Sequence, residues 1–148
     1  MLVRVAFMVV CLLFAATAAE ADQCTASTTS VNFGSYNVYD TAHKDSTGTI
    51  TLRCNGGANN VRVEIGSGDS SFVASRFMNK GVEPLFYNLY QNAARTTIWG
   101  DGSGAPDYYV GNPPNNKDLT LTVYGRITAG QDVSAGSYSD SVTVTVQY

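Results

Sequence analysis

The chain has 148 residues, of which 44% are hydrophobic and only 14% charged, with a formal net charge of −3. That length predicts a single domain. The charges are scattered, with no basic run and no basic stripe beside aromatic residues, which excludes nucleic acid and anionic membrane surfaces as expected partners.

The N-terminal segment reads as a targeting signal. Met1–Arg4 supplies a positive start, Val5–Ala16 is unbroken apolar, and small residues follow at Ala18, Ala19 and Ala21. This pattern predicts a secretory signal peptide over residues 1–21, with Ala19-Glu20-Ala21 fitting the small-x-small rule. The expected mature domain is residues 22–148. No later segment is long or apolar enough to span a bilayer, so an exported protein without membrane insertion is expected. Cys11 leaves with the signal, and Cys24 and Cys54 remain in an oxidising route. A Cys24–Cys54 disulfide is the default reading. A metal site would need more ligands than two cysteines and the lone His43 supply.

Period-2 alternation then dominates. A first strand is expected through Val31–Phe33. Thr49–Cys54 places Ile50, Leu52 and Cys54 on one face, and Val61, Val63 and Ile65 alternate with Arg62 and Glu64. Leu85, Tyr87 and Leu89 form a further inward set, and Thr96–Trp99 reads as a short strand. Leu119, Leu121, Val123, Gly125 and Ile127 alternate with polar partners, as do Val142, Val144, Val146 and Tyr148 at the end. Turn signals separate these runs, among them Asn55-Gly56-Gly57, Gly66–Asp69 and Asn112–Asn116. Seven or more half-apolar strands need two packed sheets, so an all-β antiparallel sandwich is expected, with a closed barrel as its rival.

The chemistry-bearing residues are sparse. His43 lies in the polar stretch Thr41–Thr47, read as a solvated loop between strands. Asp69, Asp101 and Asp107 fall in separate loops. Asp101-Gly102-Ser103-Gly104 lacks the alternating acidic ligands of a calcium loop, and no serine sits in a nucleophile elbow. No catalytic residue, metal ligand or cofactor is expected, and the protein reads as a non-enzyme. Trp99, Tyr108 and Tyr109 flank the Gly- and Pro-rich Gly100–Asn116 region. They are either ligand-contact aromatics for a sugar or abiotic surface, or a core tryptophan with two covering tyrosines. Arg53, Arg62, Arg76, Arg95 and Arg126 read as solvated or locally ion-paired.

Several strings, in order along the chain, together resemble a known family: Val31-Asn32-Phe33-Gly34-Ser35-Tyr36, Gly48–Cys54, Tyr87-Asn88-Leu89-Tyr90, Ala93-Ala94-Arg95-Thr96, Trp99-Gly100-Asp101-Gly102, Val123–Ile127 and Gly136–Asp140. The chain resembles the spore coat protein U domain family, which includes secreted coat proteins and archaic chaperone–usher pilins. The resemblance implies an immunoglobulin-like sandwich lacking one strand and completed by a donated one. It also implies passage through the periplasm to the cell surface or extracellular space. The implied partners are a periplasmic chaperone, an outer-membrane usher and neighbouring pilus or coat subunits, in an adhesive or biofilm setting. Gly136, Val142, Val144, Val146 and Tyr148 resemble the chaperone-engaging and strand-exchange segment, although an ordinary last strand would show the same pattern. Only Asp22 and Gln23 separate the expected cleavage site from Cys24. At about 3.3 Å per residue that stub fills almost none of a groove, so a terminal or minor subunit is expected. A self-contained adhesive module is the alternative.

Overall fold

The computed structural model describes residues 23–103 and 107–148; the expected signal segment, residues 1–21, lies outside them. The described chain is an all-β sandwich of the immunoglobulin-like kind. It has eight strands: β1 (Gln23–Thr29), β2 (Lys44–Asn55), β3 (Val61–Ile65), β4 (Phe77–Lys80), β5 (Glu83–Tyr90), β6 (Tyr109–Gly111), β7 (Asp118–Ile127) and β8 (Val144–Gln147). A single 3-10 turn, Val73–Ser75, precedes β4. One sheet has the order β1-β2-β7-β5-β4 and the other β6-β3-β8. All strand pairs are antiparallel.

The alternation read from the sequence sets the core. Ile50, Leu52 and Cys54 of β2, Val61, Val63 and Ile65 of β3, Leu85, Tyr87 and Leu89 of β5, and Val123 and Ile127 of β7 are all buried between the sheets. Each large side chain so buried contributes about 1.5–3 kcal/mol. Gly56 and Gly57, with φ of 75° and 80°, turn the chain from β2 in one sheet toward β3 in the other, a backbone region that glycine enters without strain.

The first strand differs from expectation. Val31–Phe33 is not a strand; the strand is β1, whose residues are almost all polar and exposed. Its inward positions Cys24, Ala26 and Thr28 pair with Cys54, Leu52 and Ile50, so short or polar residues hide its alternation. Val31 and Phe33 instead fold over two glycines. A Cβ at Gly48 would stand 2.6 Å from the Thr29 carbonyl oxygen, and one at Gly125 would stand 2.6 Å from Val31 and 2.7 Å from Phe33. The absence of side chains there lets the segment after β1 press onto β2 and β7.

Other boundaries move too. Lys44–Thr47, read as loop, begins β2 and pairs with β7. Thr96–Trp99 makes only isolated bridges, Ile98 to Tyr90 and Trp99 to Asp107. β4 and β6 had too short a pattern to be seen, and β6 lies inside the Gly100–Asn116 region, expected to be a long loop or an irregular hairpin. The last strand starts at Val144, not Val142.

Arg76 is the largest departure. Expected at a solvated or ion-paired position, it is fully buried. Its five N–H groups donate to the carbonyls of Gly66, Val73, Ile65 and Trp99 and to Asn88 Oδ1, at 2.7–3.2 Å. Burial pulls its pKa below the ordinary guanidinium value. The other four arginines are ion-paired: Arg53 with Asp118, Arg62 with Glu64, and Arg95 and Arg126 with Asp45.

Candidate functional site: an open groove between two strand edges

β1 and β8 are edge strands of different sheets. Between them lies a groove of about 300 Å³. One wall is the end of β1 with the segment after it, Thr28 to Phe33; the other is Asp140 to Val142 with Val144 at the start of β8. The floor is apolar core reached from outside: Ile50, Ile65, Leu89 and Val123, with Met78 and Tyr87. Neither outer edge is paired with another strand among the described residues. Unpaired strand edges over an apolar floor form a template for an added strand.

The β8-side wall is held firmly. Asn79 and Ser139 exchange backbone hydrogen bonds at 2.9 and 3.2 Å, and Gly66 N–H donates to the Thr143 carbonyl at 2.9 Å. The Asp140 carboxylate accepts from Asp69 N–H at 3.0 Å and from the Tyr87 hydroxyl at 2.7 Å. Burial, then that hydrogen bond to Asp140, push the Tyr87 pKa well above the usual tyrosine range. Tyr87 is therefore a neutral donor at one end of the groove floor.

Upstream of this wall, the loop after β7 is tied to the β4–β5 hairpin. Glu83 accepts from Ser134 N–H at 2.8 Å, from the Ser134 hydroxyl, and from Tyr138 at 2.7 Å. Those bonds, Ser134 first, bring its pKa down to about 2. Lys80 Nζ donates to Ser134 Oγ and to the Ala135 carbonyl.

Of the expected strand-exchange residues, Val142 and Val144 line the groove and the others do not. Val146 pairs with Val63 and packs on the core. Tyr148 is exposed beyond β8, and Gly136 lies against the Lys80 side chain. Sequence reasoning missed Asp140, Tyr87, Thr28 and Ile65 as groove residues. The signal for Asp140 was present, since it continues the alternation of Val142 and Val144.

Cys24 and Cys54 are bonded, and they are direct cross-strand partners of β1 and β2. The expected ligand aromatics divide. Trp99 is 2% exposed, and its indole N–H donates to the Val63 carbonyl at 2.9 Å. It is a core residue and cannot stack on a ligand, because its ring and its donor are both consumed inside the sandwich. Tyr109 packs beside it, at 6.3 Å between ring centroids. Tyr108 stays partly exposed, with the Arg62 guanidinium 3.5 Å over its ring.

Among the described residues, no group of three or more His, Cys, Asp or Glu side chains is placed to hold a metal ion, and no helix is long and apolar enough to cross a membrane. His43 Nδ1 accepts from Ala129 N–H at 3.1 Å. The Asp101 carboxylate is capped by the Ser103 hydroxyl and N–H, which lower its pKa.

Comparison with known proteins agrees with this architecture. Among solved structures, the chain is similar to one described as the CsuC–CsuE chaperone–tip adhesion subunit pre-assembly complex from archaic chaperone-usher Csu pili of Acinetobacter baumannii. The TM-score is 0.64 at 20% identity, over 86% of this chain and 40% of that one. Among curated proteins it is similar to Protein U of Myxococcus xanthus, at 31% identity over 86 residues, which is 55% of this chain and 45% of that protein. The matches thus span less than half the length of either relative. The Spore Coat Protein U domain model matches residues 11–145, and the chain belongs to that family.

Proposed function

We propose that this protein is a structural subunit of a bacterial surface pilus or coat, assembled by chaperone–usher donor-strand complementation, and that it accepts a strand in the groove between β1 and β8. The observation that carries this reading is the groove itself: an apolar floor open between the unpaired edges of two sheets. Filling it would add backbone hydrogen bonds along an edge, the source of affinity in β-augmentation, while alternate side chains enter the groove and give specificity. The similarity of fold to a pilus subunit solved with its chaperone supports the same assignment. The partners would be a periplasmic chaperone, an usher and neighbouring subunits, after export from the cytoplasm.

A terminal or minor place in the assembly belongs to the proposal. With cleavage after Ala21, two residues precede Cys24, and Gln23 is already paired with Asn55 in β1. Sequencing the N-terminus of the secreted protein checks this point; a longer free extension would make the subunit a donor as well.

Thermal unfolding tests the acceptor role. Alone, the oxidised mature protein is expected to unfold at a lower temperature than with a strand bound. A chaperone or strand peptide at a hundredfold excess over Kd should stabilise it by about 2.7 kcal/mol. A cooperative, stable monomer whose Tm ignores both would overturn the proposal.

A further inference from the structure

Among the residues lining the groove, Asp140 is the only Asp, Glu, Lys, Arg or His. It alternates with Val142 and Val144, and all three face the groove from the same wall. Its two hydrogen-bond donors, Asp69 N–H and Tyr87 OH, are neutral and fill two of about four acceptor sites of a carboxylate. No ion pair among the described residues includes it. Arg76 feels its charge, but all five Arg76 N–H groups are engaged elsewhere.

An added strand would remove this carboxylate from water. An ion left unpaired on desolvation is strongly unfavourable, whereas a charge-assisted hydrogen bond to it is favourable. Residues opposite one another on paired strands lie about 4.5–5.5 Å apart at Cβ, within reach of a cationic side chain. We infer that the groove selects a strand from another subunit that carries Lys or Arg opposite Asp140, with apolar residues two and four positions along, opposite Val142 and Val144. This inference rests on the strand-acceptor reading above and adds the chemistry and register of the strand. The cation fixes the register, because a slip of two residues would set it against Val142 and leave Asp140 buried without a partner.

The test uses the oxidised mature protein and labelled peptides of about ten alternating residues, long enough to span the groove. A lysine is moved through every inward position, in both chain directions, and binding is read by fluorescence anisotropy. One position should stand out, binding about tenfold tighter with Lys than with Glu. Asp140→Asn should bring that ratio close to one. Equal binding of Lys, Glu and Leu peptides at every position would overturn the inference while leaving the acceptor role intact. If no alternating peptide binds better than a scrambled one, the acceptor role itself fails and this inference with it. Should Asp140→Asn misfold, the Lys-against-Glu comparison on the unaltered protein still decides.

Discussion

Arg76 is where residue chemistry departs furthest from its sequence context. Val73-Ala74-Ser75-Arg76 offers no motif, yet the guanidinium joins the ends of β3, the 3-10 turn, β5 and the Trp99 segment. Arg76→Ala would remove five hydrogen bonds, four of them to backbone carbonyls, and open a cavity. It should destabilise the fold by about 3 kcal/mol or more, because each hydrogen bond to a charged group contributes about 1.5–3 kcal/mol, and chemical denaturation would measure this. Arg76→Lys should recover little, because an ammonium has three donors and no planar fork. Glu83 allows a prediction in pH. Its folded pKa is depressed from an ordinary 4.5 to about 2. Its contribution is therefore complete above the unfolded value and is lost as pH falls through the folded one. The Tm advantage of the unaltered protein over Glu83→Gln should be constant near neutral pH and shrink between pH 4.5 and about 2. A gap that stays constant through that window would show that Glu83 does not tie down the 134–138 loop. Both residues were illegible beforehand for one reason: their partners come from distant positions in the chain.

At the scale of elements, alternation found β3, β5, β7 and most of β2, because those strands have one buried face and large side chains on it. It missed β1, whose inward positions are the half-buried Cys24 and the exposed Ala26 and Thr28, and it misplaced a strand onto Val31–Phe33. The glycines opposite explain the outcome. Gly48 and Gly125 carry no side chain, so the segment after β1 descends onto the sheet and Phe33 meets Tyr87 edge-on at 6.0 Å. Gly48→Ala should therefore push the Thr29–Val31 backbone off β2. Because the obstructing atom is a backbone oxygen, the cost should be about 1–3 kcal/mol by overpacking. Loss of amide protection should concentrate in β1 and the segment after it, measured by hydrogen exchange. Uniform loss of protection would argue that Gly48 serves the whole core instead. The same displacement would reshape one wall of the groove, so strand binding should weaken with it.

For the molecule as a whole, the disulfide and the groove are linked. Cys24–Cys54 fastens β1 to β2 near the opposite end of that strand pair from the groove residues Thr28 and Thr29. Closing a loop of 30 residues stabilises by about 3–4 kcal/mol in the chain-entropy model. The double substitution of Cys24 and Cys54 by Ser should lose that amount, read from denaturant midpoints. Because β1 is an edge strand with little buried apolar surface, the loss should include its fraying, and strand-peptide affinity should fall. Unchanged peptide affinity in the reduced protein would show that hydrogen bonding to β2 alone keeps β1 in place.

By itself the sequence determined the all-β class, the two-sheet core, the covalent pair and the family resemblance. These depend on side-chain periodicity and on residue types that keep their meaning wherever the chain travels. It also marked Gly136, Val142, Val144, Val146 and Tyr148 as strand-exchange candidates, of which Val142 and Val144 line the groove. Only the tertiary structure decided that Trp99 is core, that Arg76 is buried, and that the Asp140 carboxylate lies beside an apolar floor. Those outcomes depend on which strand edges the two sheets leave unpaired and on which distant groups meet there. Periodicity along one strand reports which face is buried, but not what faces it from the other side.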